Sequence, residues 1–332
     1  MASPMNPPPH APDFLAASGW ADAEILPLAG DASFRRYFRV VHGARSAVLM
    51  DAPPPHEDPQ PFIDVAEWLI ARGLNAPQIL AKDLTRGLLL LGDFGSTRLR
   101  ETLDEDPGRE RELYELATDV LVHLHEHPAM TGLKVQGLDQ WLEELTLFTD
   151  WYCPAVGAEV DVNGYQAVWR KVLEPIARDG LGPVTVLRDY HAENIMLVEG
   201  QDGIAHFGLL DFQDALCGHP AYDLASVLED ARRDVSPKIE QAMIDRYVSA
   251  TGHGEMFKEA YWALAAQRNT RILGVFTRLW KRDRKPGYRR FQPRMWGLLE
   301  RDLAQPNLKP VRDWFDANIA PEQRRAPWEE AA

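Results

Sequence analysis

Cysteine is scarce in this chain: Cys153 and Cys217 are the two in 332 residues. They lie far apart, without the CxxC or Cys/His spacing of a zinc site, which excludes a disulfide scaffold or zinc module and leaves two reduced thiols. Long apolar runs are missing as well. No uninterrupted stretch approaches the ~20 residues of a membrane helix, and Met1 to Pro12 has neither a basic run nor an apolar signal core, so a soluble cytoplasmic protein is expected. Positive charge is in deficit, with 36 Lys and Arg against 50 Asp and Glu and a net charge of -14. Such a field repels phosphate backbones and anionic lipid, so neither nucleic acid nor membrane is an expected partner. No internal repeat occurs at a period of roughly 20 to 50 residues, which excludes a solenoid.

What remains is ordinary globular chemistry, 45% hydrophobic and 26% charged, enough for one large domain or two lobes. Residues 1–12 hold five prolines and read as a loose arm. From Glu24 to Met50 the segments EILPLAG, SFRRYFRVV and SAVLM, with a turn at His42-Gly43, predict three antiparallel strands. Phe62, Val65, Ala66, Leu69 and Ile70 fall at helical spacing and predict a helix to Arg72, stopped by Gly73. Two further strands follow at 78–81 and 87–91, the second so apolar (LLLL) that both faces should be buried. Residues 109–177 are helical in pattern, as is the chain beyond Asp223. One compact exception, VTVLRDYHAENIMLVEGQDGIAHFGLLDFQDA, reads as strand, polar loop, strand, turn and strand.

That exception carries the chemistry. Phosphoryl transfer asks a protein for an oriented hydroxyl, divalent metal across the phosphates and fixed positive charge. Asp189 sits in the polar loop, where a carboxylate can accept a hydrogen bond from an attacking hydroxyl. Asn194 opens the next strand and Asp211 ends the return strand, so a hairpin from NIMLVE to HFGLLD brings two hard oxygen ligands of the Mg²⁺-binding type together. His191 and Arg188 complete the loop, His191 as a packed brace or a substrate contact.

The block Leu187-Arg-Asp-Tyr-His-Ala-Glu-Asn194, with Leu209-Leu-Asp-Phe-Gln-Asp214 and Gly218-His-Pro-Ala-Tyr-Asp-Leu-Ala225, resembles the aminoglycoside phosphotransferase and choline kinase superfamily over residues 28–291 or so. The resemblance implies an α+β, bilobal, protein-kinase-like fold: a small β-rich nucleotide-binding lobe at 13–92 and a larger helical lobe at 93–332 with the catalytic loop and substrate pocket. It implies ATP as phosphoryl donor, Asp189 as catalytic base, Asn194 and Asp211 as Mg²⁺ ligands, and Asp223 as a structural brace. Gly30, Ala32 and Ser33 then form the loop over the phosphates, and Gly92, Asp93 and Phe94 the hinge beside adenine. One departure stands out. The third strand, Ala47-Val-Leu-Met-Asp51, lacks the lysine expected for the α- and β-phosphates; Arg36 on the neighbouring strand is the nearest substitute, unless it belongs to a solvated basic face.

The wording Gly-Asp-Ala-Ser-Phe-Arg-Arg-Tyr-Phe-Arg-Val, together with Gln-Arg-Asn-x-Arg-Ile-Leu-Gly-Val-Phe, is most similar to the anomeric sugar kinases acting on N-acetylmuramate and N-acetylglucosamine, which implies a small sugar substrate and cell-wall sugar recycling. From Arg268 to Arg290 there are nine Lys or Arg and one Asp. Positions 268, 271, 275 and 278 share a helical face, so Arg271 is a candidate for a lactyl carboxylate. Trp141 and Trp151 are candidates for a sugar-stacking wall or for core. A choline, amino-alcohol or aminoglycoside kinase of the same fold is the alternative, and a pseudokinase the one from another class.

Overall fold

The computed structural model describes residues 6–28 and 34–325; Gly30, Ala32 and Ser33 lie outside the described residues. In chain order the elements are α1 (Ala11–Ala17), β1 (Glu24–Pro27), β2 (Arg36–His42), β3 (Arg45–Asp51), α2 (Gln60–Ile70), β4 (Ile79–Asp83), β5 (Leu88–Gly92), α3 (Leu99–Glu105), α4 (Glu110–His125), α5 (Leu138–Leu147), a π-helical turn (Phe148–Tyr152), α6 (Cys153–Ala155), α7 (Val162–Ile176), β6 (Val184–Val186), β7 (Ile195–Leu197), β8 (Phe207–Leu209), β9 (Leu216–Gly218), α8 (Ala221–Leu228), α9 (Pro237–Thr251), α10 (Glu255–Lys281), α11 (Gln292–Leu303), α12 (Lys309–Asn318) and α13 (Pro321–Arg325). They fall into two compact units, Met1–Pro107 with Glu193–Asp214, and Gly108–Ala192 with Ala215–Ala332. Among the described residues, no helix is long and apolar enough to cross a membrane.

The first unit is built on a five-stranded antiparallel sheet ordered β1-β2-β3-β5-β4. The β2–β3 hairpin closes where Gly43 takes a positive φ of 62°, the conformation a tight hairpin turn requires. On one sheet face Phe38, Val40, Ala47, Leu49, Leu88 and Leu90 pack with Phe14, Leu15 and Trp20 of the N-terminal segment. Leu89 and Leu91, which alternation sends to the other face, are also buried, so the LLLL strand is covered on both sides. The stretch read as a loose arm needs one correction. Ala11 and Pro12 already belong to α1, and Ala11 is fully buried; proline is compatible with a helix's first turn, where its missing N–H has no acceptor to lose.

The catalytic-loop region also differs in detail from its sequence reading, because a further short strand follows Asp211. β6 pairs with β9 and β7 with β8, giving two separate two-stranded ladders. The β7–β8 hairpin joins the first unit through its main chain: the Leu209 N–H donates to the Asn75 carbonyl at 2.8 Å, and the Leu197 N–H to the Thr97 carbonyl at 2.8 Å.

The second unit is organised around α10, whose 27 residues are buried on most sides against α5, α8, α11 and the π-helical turn. Close approach depends on Gly274. A Cβ there would stand 2.3 Å from the Leu147 carbonyl carbon and 2.7 Å from the Phe148 nitrogen, backbone atoms that cannot step aside alone. Gly274→Ala should therefore lower the urea midpoint with an unchanged m-value, by about 2 kcal/mol, overpacking outweighing the helix-propensity gain of alanine. Gly297 on α11, exposed and with nothing within 4 Å of an added Cβ, is the control: Gly297→Ala should raise stability by about 0.5–1 kcal/mol. Equal shifts in the two variants would show that the α10 crossing does not need glycine.

Candidate active site

In the second unit, Asp189 lies on the loop leaving β6, and a buried carboxylate holds that loop. Asp223, at the start of α8 and fully buried, accepts the Leu187 N–H at 2.6 Å and the Arg188 N–H at 2.9 Å. Arg188 has a φ of 74°, a left-handed conformation that costs a non-glycine residue about 1 kcal/mol or more and persists only where its surroundings enforce it. Burial pushes the Asp223 carboxyl up to about 7, against the pull of the two N–H donors. Asp230, also buried, performs the same service downstream, accepting the Ala192 N–H at 3.3 Å and the Arg232 N–H at 2.8 Å. Tyr190 anchors the middle of the loop, its hydroxyl donating to the Ala117 carbonyl at 2.9 Å.

This loop forms one side of an open cavity of about 170 Å³, lined by Asp189, His191, Arg232, Arg268, Arg271 and Tyr288 and by an apolar stretch of α10. Among the described residues that line it, Asp189 is the one carboxylate, alongside three arginines. Arg268 is buried and donates to the Ser226 hydroxyl at 2.9 Å. Arg271 donates to the Tyr222 hydroxyl at 3.1 Å and lies 3.8 Å from Glu144. Burial, seconded by the charge of Arg232, drives His191 down to about 3, so the ring is neutral at physiological pH. Arg232 donates to its Nε2 at 3.3 Å, which assigns the ring proton to Nδ1.

Two expectations about this wall need correction. The helical face that meets the cavity runs through 268, 271, 272, 275, 276 and 279, so Leu279 takes the place expected of Arg278; an i+4 step from Val275 follows the 3.6-residue turn better than an i+3 step. Trp141 and Trp151 are not on the wall either. Trp141 is 2% exposed, a core residue of α5, and Trp151 lies half-buried in the π-helical turn. Phe276 and Tyr288, with ring centroids 5.3 Å apart, supply the aromatic surface instead.

In the first unit, the base of the β7–β8 hairpin gathers Asn194 and Asp211 as the spacing predicts. Leu210 donates its N–H to the Asn194 carbonyl at 2.9 Å, and the Asn194 amide lies 3.4 Å from Asp211 Oδ2. Asp211 has a φ of 57°, which aspartate tolerates better than most residues. Arg35 at 3.3 Å and Gln213 at 2.8 Å donate to its Oδ1. One carboxylate and one amide oxygen, both only partly buried, suit a Mg²⁺ ion that keeps waters and phosphate oxygens. They do not suit an all-protein cage, and among the described residues no group of three or more His, Cys, Asp and Glu could form one.

Elsewhere in the first unit, Arg36 is the cross-strand partner of Asp51, its Nε 2.8 Å from a carboxylate only 3% exposed. Asp93 accepts the Gly95 N–H at 2.9 Å and pairs with Arg39 at 2.8 Å, while Arg39 also reaches Ser96. Gly92 donates its N–H to the Gln78 carbonyl, and Phe94 packs where a side chain on Gly208 would stand. The Asp93 side chain thus holds the turn together, while Gly92 acts through its backbone. Arg35, Arg232, Asp230 and Tyr288 were not singled out by sequence reasoning. For Asp230 and Arg232 the signal in the chain was the charge-dense Glu229-Asp-Ala-Arg-Arg-Asp234 after α8, and for Arg35 its place in the Arg35-Arg36 pair.

Comparison with known proteins follows the same lines. The chain is 37% identical to a Caulobacter vibrioides protein named N-acetylmuramate/N-acetylglucosamine kinase, over 94% of this chain and 96% of that one. A Pseudomonas aeruginosa protein of the same name is also 37% identical, with 89% of each chain covered. Among solved structures, a choline/ethanolamine kinase family protein from Mesorhizobium loti superposes with a TM-score of 0.59 at 16% identity, covering 91% of this chain and 96% of that one. An ADP-bound aminoglycoside phosphotransferase gives 0.59 at 12% identity, covering 86% and 96%. These share the bilobal α+β kinase-like fold, and residues 24–258 match the phosphotransferase enzyme family, to which this chain belongs.

Proposed function

We propose that the chain transfers the γ-phosphoryl group of ATP to the anomeric hydroxyl of N-acetylmuramate, N-acetylglucosamine or both, yielding a sugar 1-phosphate and ADP in cell-wall sugar recycling. The observation that carries this reading is the cavity that Asp189 lines together with Arg232, Arg268 and Arg271, taken with the names of the relatives. In the proposed step the O1–P bond forms, the bond from Pγ to the β,γ-bridging oxygen breaks, and the hydroxyl proton passes to Asp189. An anomeric hydroxyl is more acidic than an ordinary alcohol, so modest proton acceptance suffices. His191 is a poor base, because burial drives its pKa down to about 3 and its Nε2 lone pair is engaged by Arg232; it orients the loop or the sugar. Arg271 is the candidate for a lactyl carboxylate. Asn194 and Asp211 would hold Mg²⁺, whose chemistry is to neutralise charge across the phosphates. Arg35, lying on Asp211, is a better candidate than Arg36 for the cation that replaces the absent lysine. A choline or aminoglycoside acceptor is cationic and fits three arginines poorly.

Proton–phosphorus NMR of the product should show coupling to H1, and a methyl glycoside blocked at C1 should be inert; a 6-phosphate product would overturn the anomeric assignment. Asp189→Asn should lower kcat by about 10²–10⁴-fold with nucleotide affinity retained; activity within a few-fold of the parent would remove Asp189 from the proton transfer.

Asn194→Ala and Asp211→Ala should each raise the Mg²⁺ concentration needed for half-maximal rate, read from titrations at fixed ATP. Curves overlaying the parent would move the metal elsewhere. Arg35→Ala should weaken ATP and ADP binding more than AMP binding, measured by calorimetry, whereas Arg36→Ala should lower stability by leaving the buried Asp51 carboxylate unpaired and should not discriminate among the three nucleotides. The opposite pattern would return the phosphate role to Arg36.

A further inference from the structure

Past the apolar stretch of the cavity wall, the chain enters a cationic segment that the proposed chemistry does not use. Between Arg278 and Arg290 stand seven Lys or Arg and one Asp, in a chain of net charge -14. Leu279 and Tyr288, near either end of this segment, both line the cavity, so the chain leaves the cavity wall and returns to it across these charges. Lys281, Arg282, Arg284 and Arg290 are exposed, and Lys285 and Arg289 half-buried.

The helix dipole accounts for only part of this. α10 ends at Lys281, and a helix terminus favours cations within its last turn, which here means Arg278 and Lys281. Arg284, Lys285, Arg289 and Arg290 lie past it. The segment is also held in place rather than trailing. Lys281 sits 3.8 Å from the Trp280 ring centroid and Arg289 5.0 Å from the same ring, Arg290 lies 4.7 Å from the Phe291 ring, and Phe276, Tyr288 and Phe291 pack against one another with centroids 5.3 to 6.3 Å apart. The one carboxylate, Asp283, is engaged by Arg282 at 2.7 Å.

We propose that Lys281, Arg282, Arg284, Lys285, Arg289 and Arg290 form an electrostatic collar at the cavity mouth that enriches anionic acceptor sugars and so favours them over neutral ones. The inference rests on the sugar-kinase reading above. A positive rim on an otherwise acidic protein concentrates field lines at one opening, and its effect falls with salt over a Debye length of about 8 Å at physiological ionic strength. N-acetylmuramate carries a lactyl carboxylate and N-acetylglucosamine is neutral, so the two form a matched pair differing in the property the collar reads.

The test measures kcat/KM for both sugars at saturating ATP and Mg²⁺, at low and high ionic strength, in the parent and in Lys281→Glu/Arg282→Glu/Arg284→Glu. These three residues are exposed and none lines the cavity. Expected is a drop of roughly three- to tenfold for N-acetylmuramate at low salt, shrinking at high salt, with N-acetylglucosamine within twofold throughout. Equal losses for both sugars, or no loss and no salt dependence for the anionic one, would overturn the collar while leaving the kinase reading intact. Turnover of neither sugar by the parent protein would overturn both.

Discussion

The candidate active site depends first on one buried carboxylate. Asp223 accepts two consecutive backbone N–H groups, from Leu187 and Arg188, and thereby forces the chain through the left-handed turn at Arg188 that precedes Asp189. Two hydrogen bonds to a charged acceptor are each stronger than neutral ones, and together they exceed the local strain of one arginine at positive φ. Burial works against the arrangement by favouring the protonated acid, which is why the group sits near 7 rather than in the usual carboxylate range. An apolar residue there would leave a buried and a partly buried N–H group without their acceptor, the costlier alternative.

Arginine–carboxylate pairs on and beside β2 then separate structural from chemical candidates. Arg36 is fixed to Asp51 directly across the ladder, and Arg39 gathers Asp93, Gly95 and Ser96 into one turn. Arg35, at the entry to the same strand, reaches the hairpin carboxylate Asp211. Neighbouring arginines on a strand point to opposite faces, so Arg35 and Arg36 meet different partners.

Much of this was legible in the sequence wherever the signal was local. The apolar run Leu88–Leu91 announced a strand buried on both faces, the spacing from Asn194 to Asp211 announced a hairpin, and Asp223 could be assigned as a brace from its motif. What escaped were partners remote along the chain. Arg35 and Asp211 are 176 positions apart, Arg232 and His191 41 apart, and no periodicity within either segment encodes the pairing. Trp141 and Trp151, open between sugar wall and core, do not line this cavity for a related reason: an aromatic stripe at helical spacing shows that a helix face is buried, not what covers it.

The same limit explains the face of α10. A window containing Arg268, Arg271, Val275 and Arg278 reads as a basic stripe, but the helix is buried on most sides, and burial imposes its own selection on which arginines survive at which positions. Arg268 is tolerated because Ser226 and the Glu229 carbonyl receive its N–H groups, Arg271 because Tyr222 and Glu144 stand beside it. Beyond these two the wall turns apolar, through Ile272, Val275, Phe276 and Leu279. The cavity therefore pairs fixed cations at one end of an α10 stripe with a hydrophobic surface at the other, a combination suited to a ligand that is itself part anionic and part apolar.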